Sequence, residues 1–152
     1  MNEEEYVKKS LINISEETVS SMDAVVASNM GTGSYVALFA AFNFDNYPDI
    51  GYRWNEFVLH SIIEGYSKKY KIIEPRMRDR RYKRGIIIGR DNPCVSFEEL
   101  VAAQMKADNF TVIPQDQFAG YLIQKGLLLT GNVPQEMYEG DGVRLENGYF
   151  IV

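Results

Sequence analysis

The sequence holds a single cysteine, Cys94, and a single histidine, His60. One cysteine cannot close an internal disulfide, which excludes a disulfide-stapled mini-protein and makes a reducing cytoplasm the expected setting. Long apolar runs are also missing. Val36–Phe42 is among the longest, far short of the ~20 residues needed to cross a bilayer, so no membrane span is expected. No basic stretch followed by an apolar one opens the chain, which argues against a secretory signal. There is no internal repeat and no low-complexity tract. What remains is 152 residues, 45% apolar and 24% charged, the mix of a folded globular chain with one domain or two very small ones. The closing Phe150-Ile151-Val152 has no polar tail, as expected of a piece excised from a longer protein.

Net charge is −5, but the charge is unevenly spread. From Lys68 to Arg90 ten basic residues face only Glu74 and Asp79, a net +8; the remaining six basic and nineteen acidic residues give −13. Arginine outnumbers lysine six to four in this segment, and its planar fork matches phosphate oxygens. The expected partners are nucleic acid or an acidic surface, contacted through Arg76, Arg78, Arg80, Arg81, Lys83 and Arg84. The plainer alternative is a solvated basic hairpin neutralised by the acidic remainder of the chain.

Glu3, Glu4 and Glu5 suit the start of a first helix, running through Tyr6, Val7 and Leu11. Ser15 can cap a second helix carrying Val19, Met22, Val25 and Val26, ended by Gly31-Thr32-Gly33. The alanine-containing run Tyr35–Phe42 predicts a buried helix rather than a strand. Asn43–Pro48 is a loop. Trp54–Lys68 is the clearest helix, with apolar residues over a wide arc, and is expected to be the most buried in the chain. Tyr70–Ile73 and Tyr82–Ile88 read as strands of a basic hairpin. Ser96-Phe97-Glu98-Glu99 is a capping box opening a helix through Met105. Phe110–Ile113 is extended, Pro114 and Asp116 open a further helix ended by Gly126, and Leu127–Leu129 is a short strand candidate. One turn is expected at Pro134–Tyr138. Asn147-Gly148, between Val143-Arg144-Leu145 and Tyr149–Val152, is a strong hairpin signal.

From Ser96 onward the order is therefore helix, extended segment, helix ending in Lys125-Gly126-Leu127-Leu128, short strand and hairpin. Over these 57 or so residues the chain resembles the winged-helix superfamily, in which a helix ending in a glycine–leucine pair precedes the strand that leads into the wing. The resemblance implies a recognition position at Gln115–Lys125. That helix offers Gln115, Asp116, Gln117, Gln124 and Lys125, a poor set for reading base edges. The wing has Arg144 against Glu139, Asp141 and Glu146. The resemblance thus implies a winged helix used for protein contact or as a scaffold.

Several residues invite chemistry and have a plainer reading beside it. His60 is flanked at four residues on each side by Glu56 and Glu64, suggestive of a metal site or a tuned base. The two glutamates are ~12 Å apart along a helix, so one ion cannot take all three, and a solvent-facing polar stripe is the simpler account. Cys94 before a helix could be a nucleophile with His60 as base, or a small residue packed under a loop. Gly31-Thr32-Gly33-Ser34 could cradle phosphate, but without the P-loop lysine it reads better as a helix stop. Asp45, Asp49 and Glu56 suggest a proline–aspartate nuclease motif. Its second half would need lysine where Asp79-Arg80-Arg81 has arginine. Tyr47, Tyr52 and Trp54 are either a partner anchor or core, and helical spacing favours core.

The expected architecture is α+β: a helical region with a basic β-hairpin over residues 1–90 and a winged-helix-like region over 91–152, sharing one core. The expected function is a non-enzymatic binding module, without cofactor or metal, that contacts nucleic acid or another anionic partner. The alternative is a protein–protein or self-assembly domain that forms a homo-oligomer.

Overall fold

Ser15 opens the first helix of the computed structural model, which describes residues 14–75, 85–140 and 142–152. The expected helix from Glu3 and the segment 76–84 lie outside the described residues. The chain divides into two compact units, Met1–Ile72 with Ile87–Asn92, and Ile73–Ile86 with Pro93–Val152.

In the first unit, α1 (Glu16–Met30) begins where the Ser15 hydroxyl accepts the Thr18 N–H at 3.1 Å. Glu16 and Glu17 occupy its first turn, where the helix dipole favours them. Gly31 ends it at φ 61°, a left-handed conformation open to glycine. The next run departs from expectation. Tyr35–Ala37 is a strand, β1, and only Leu38–Ala41 coils, as a 3₁₀ turn. Val36, Ala37, Leu38 and Ala41 are buried, so the apolar run does reach the core. Pairing of β1 in a sheet gives its backbone partners that eight residues of isolated helix would not.

Helix α2 (Glu56–Tyr66) is shorter than expected, because Asn55 caps it by accepting the N–H groups of Phe57 and Val58 at 2.9 and 3.0 Å. Trp54 precedes the cap. It stacks on Tyr47 at 4.7 Å and donates its indole N–H to the Pro48 carbonyl at 2.7 Å. Tyr47 donates its hydroxyl to the Ala41 carbonyl, and both rings are buried. They are core, and their polar tips are satisfied within the loop. Strands β2 (Tyr70–Ile73) and β3 (Ile86–Gly89) join β1 in the order β1-β3-β2. Met22, Val26, Leu59, Ile63 and Ile87 are central to this core.

In the second unit, α3 (Phe97–Ala107) starts at Ser96, whose hydroxyl accepts the Glu99 N–H; the Glu99 carboxylate accepts the Val95 N–H. This is the predicted capping arrangement with its return bond shifted by one residue. Five of the eleven residues of α3 are buried against four of eleven in α2, so α2 is not the most buried helix. Two of the apolar residues of α2, Phe57 and Tyr66, retain exposure. Asn109 stops α3 at φ 63°, with Asn109 N–H bonded to Lys106 and Phe110 N–H to Met105. Strand β4 (Val112–Pro114) leads into α4 (Gln115–Gln124), and Gly126 ends it in the same way at φ 75°. Leu127 and Leu128 do not form the expected strand. Both N–H groups bond to the Leu122 carbonyl and both side chains are buried, so the backbone donors are committed to closing the helix.

A single helical turn, α5 (Glu136–Glu139), precedes β5 (Arg144–Glu146) and β6 (Tyr149–Ile151). Asn147 and Gly148 both have positive φ, the hairpin turn that their sequence predicts. The sheet order is β4-β6-β5, antiparallel, with Ile113 and Leu145 both opposite Phe150. Phe150 stacks on Phe118 of α4 at 3.9 Å. Glu98 of α3 accepts the backbone N–H groups of Gly142 and Val143, and a Cβ on Gly140 would overlap its carboxylate.

Asp108 joins the ends of α3 and α4. One carboxylate oxygen accepts from Gln104 at 3.0 Å, Tyr121 at 2.7 Å and Lys125 at 3.1 Å. These hydrogen bonds hold its pKa down at about 2. A depressed pKa stabilises the fold above the unfolded value near 3.8, and the contribution is lost as pH falls toward 2. Asp108→Asn is expected to flatten the acid limb of the second unit's stability between pH ~4 and ~2, measured by amide exchange in β6. Phe118→Ala, which empties a fully buried ring site, is expected to lower stability by about 3–5 kcal/mol in urea denaturation followed by circular dichroism.

Candidate functional site

The six residues expected to contact anions, Arg76, Arg78, Arg80, Arg81, Lys83 and Arg84, lie outside the described residues. The rest of the basic segment shows how its charge is used. Arg90, just past β3, donates from Nε to the Ser67 carbonyl at 2.6 Å and from Nη2 to Ile63 and Glu64 carbonyls at 3.3 and 3.4 Å. It closes the open carbonyl end of α2, where a cation opposes the helix dipole. Lys71 donates to the Asn92 carbonyl at 2.8 Å. Lys68 and Lys69 are exposed. None of these four forms an ion pair with a carboxylate among the described residues.

The other candidates resolve into structural parts. His60 is half-buried on α2, with Glu56 half-buried and Glu64 exposed. No cluster of three His, Cys, Asp or Glu able to hold a metal exists among the described residues. Cys94 is half-buried in the loop between β3 and α3 and forms no disulfide. Gly31 is the stop of α1, its N–H bonded to Ala27, and Gly33 continues the turn through Met30. Asp49 accepts the Gly51 N–H at 2.9 Å, a local turn rather than half of a nuclease centre.

The group that sequence reading missed is Asp23. It lies on the inner face of α1 between Val19 and Val26, and is 5% exposed. Its spacing, four after Val19 and three before Val26, was the available signal: an acid on the apolar stripe. The Ser67 hydroxyl donates to its Oδ1 at 2.8 Å. The same Ser67 oxygen accepts the N–H groups of Lys69 and Tyr70. Burial raises the Asp23 pKa, against the lowering effect of the Ser67 hydrogen bond and the charges of Lys69 and Arg90. Desolvation and the Asp23 charge also push the Tyr70 hydroxyl up. Asp23 lines a cleft of about 600 Å³ between α1 and the end of α2, together with Ser20, Tyr66, Lys68 and Lys69. A desolvated carboxylate in a cleft marks a candidate functional position in the first unit.

A raised folded-state pKa means that ionisation opposes folding. The contribution of Asp23 is fully present below the unfolded value of 3.8 and is lost as pH rises through the raised value. Asp23→Asn keeps an acceptor for Ser67 and removes the buried charge. It is expected to melt no lower than the parent at pH 7 and to gain less stability on acidification toward pH ~4, read from thermal melts across that range. A lower melting temperature at pH 7 would show that the charge itself holds the α1–α2 junction.

No protein-family model matches the chain, and no characterised protein or solved structure matches it.

Proposed function

We propose that the protein is a non-enzymatic binding module that contacts nucleic acid or another polyanion through Arg76, Arg78, Arg80, Arg81, Lys83 and Arg84. The observation that carries this reading is the absence of ion pairs at Lys68, Lys69, Lys71 and Arg90 among the described residues. Where the basic segment is described, no carboxylate pairs directly with its cations, although Lys69 and Arg90 act through space on the buried Asp23. The six residues lie in the chain between β2 and β3. The single cysteine, which forms no disulfide, fits a reducing cytoplasmic setting.

The second unit supports a winged-helix-like scaffold rather than a base reader. Two helices flank β4, and the sheet order β4-β6-β5 places the strand before α4 beside the last strand of the hairpin. The helix immediately before that hairpin is α5, one turn long with the sequence Glu-Met-Tyr-Glu, so α4 is not the element adjoining the wing. A single turn is too short to lie in a major groove. This favours protein contact as the second reading for this unit, with a partner protein or another copy of the chain.

Fluorescence anisotropy with labelled single- and double-stranded DNA and RNA tests the proposal. If all six basic residues engage phosphates, affinity falls roughly a thousandfold between ~50 and ~200 mM salt through counterion release. Arg80→Glu with Arg81→Glu is expected to remove binding at low salt; unchanged affinity in that variant overturns the assignment.

A further inference from the structure

The cleft beside Asp23 has a lining that is divided in charge. Its volume of about 600 Å³ lies in the range of sites for small molecules. Asp23 is almost fully buried, and Ser67 occupies only its Oδ1; Oδ2 has no hydrogen-bond partner among the described residues. Lys68 and Lys69 line the same cleft beside the exposed Glu16, and neither ammonium has a hydrogen bond or ion pair among the described residues. Val19 and Tyr66 give it an apolar side.

These groups select by exclusion. A purely cationic ligand would meet two lysine ammonium groups. A purely anionic one would be forced against a carboxylate that has already lost most of its water. A molecule carrying both charges, with an apolar body, satisfies each part of the lining. Its ammonium meets the open Asp23 oxygen, its carboxylate meets Lys68 and Lys69, and its side chain covers Val19 and Tyr66. As an acceptor for Ser67 alone, Asp23 could be an amide without the desolvation cost of a charge. We propose that this cleft binds a small zwitterion of amino-acid type with an apolar side chain, an α-amino acid or a dipeptide.

Isothermal titration calorimetry on the full chain at neutral pH tests this with L-leucine and leucylleucine, alongside N-acetylleucine, which lacks the ammonium, and leucinamide, which lacks the carboxylate. At least one zwitterion is expected to bind with a dissociation constant of about 1 mM or tighter, and each blocked analogue about tenfold more weakly. Asp23→Asn is expected to lose about tenfold for the zwitterion and nothing for N-acetylleucine. Lys68→Gln with Lys69→Gln, at exposed positions away from the core, is expected to erase the preference for leucine over leucinamide. The proposal is overturned if neither zwitterion gives a binding heat at about 10 mM, if N-acetylleucine binds as well as leucine, or if both variants bind leucine as the parent does.

Discussion

Ser67 commits every polar atom it has to one junction. Its N–H closes the last turn of α2 on Ile63, and its hydroxyl donates to Asp23 of α1. The same hydroxyl oxygen accepts from Lys69 and Tyr70 at the start of β2. Its carbonyl accepts Nε of Arg90 after β3, and the Arg90 N–H returns to the Lys69 carbonyl. Two helices and two strands of the first unit thus meet at one serine. Carbonyls at a helix end and the amides that follow them must be satisfied once water is excluded. Here a buried acid and an arginine supply what the backbone alone cannot. The arrangement has an electrostatic consequence. Asp23 is needed as an acceptor, yet its charge is desolvated, and Arg90 is held by neutral carbonyls rather than by direct pairing with that acid.

The second unit solves its helix ends differently. α3 and α4 both stop on a residue of positive φ, Asn109 and Gly126, with the same pair of backbone bonds. Asp108 then ties the two ends together through Gln104, Tyr121 and Lys125. At the other end of α3, Glu98 accepts two amides of the loop entering β5. Both carboxylates act on polar groups close to the surface, so their hydrogen bonds fix geometry more than they add burial energy.

The features legible in the sequence were those set by neighbours along the chain. Ser15, Ser96, Gly31 and Gly126 delimit helices because a cap needs only the adjacent turn. Asn147-Gly148 dictates its hairpin because few residue pairs tolerate two positive φ angles. The α+β class followed from these signals. Failures came where distant pairing decided. Tyr35–Ala37 is a strand because β3 lies beside it. Leu127–Leu129 is no strand because Leu122 claims two of its amides. Of the candidate site, the charge segregation was visible but the fate of each charge was not. Nothing in the order of residues says that Arg90 would close a helix rather than bind phosphate. Asp23 was readable as an acid in an apolar stripe, but its serine partner lies 44 residues away.

That division of labour within the basic segment bears on its role. Arg90 and Lys71 are held by carbonyl oxygens, which carry partial rather than full charge. Their positive charge is directed into the fold, where Arg90 also acts through space on the buried Asp23. A segment that existed only to offset the acidic remainder of the chain would show carboxylates against its lysines and arginines, because an ion pair is the shortest route to neutrality. Lys68, Lys69, Lys71 and Arg90 form no such ion pair with a described carboxylate. For the proposed polyanion contact at the six basic residues between β2 and β3 in the chain, a ligand gains most where several of its charges engage at once, because each neutralised phosphate releases counterions.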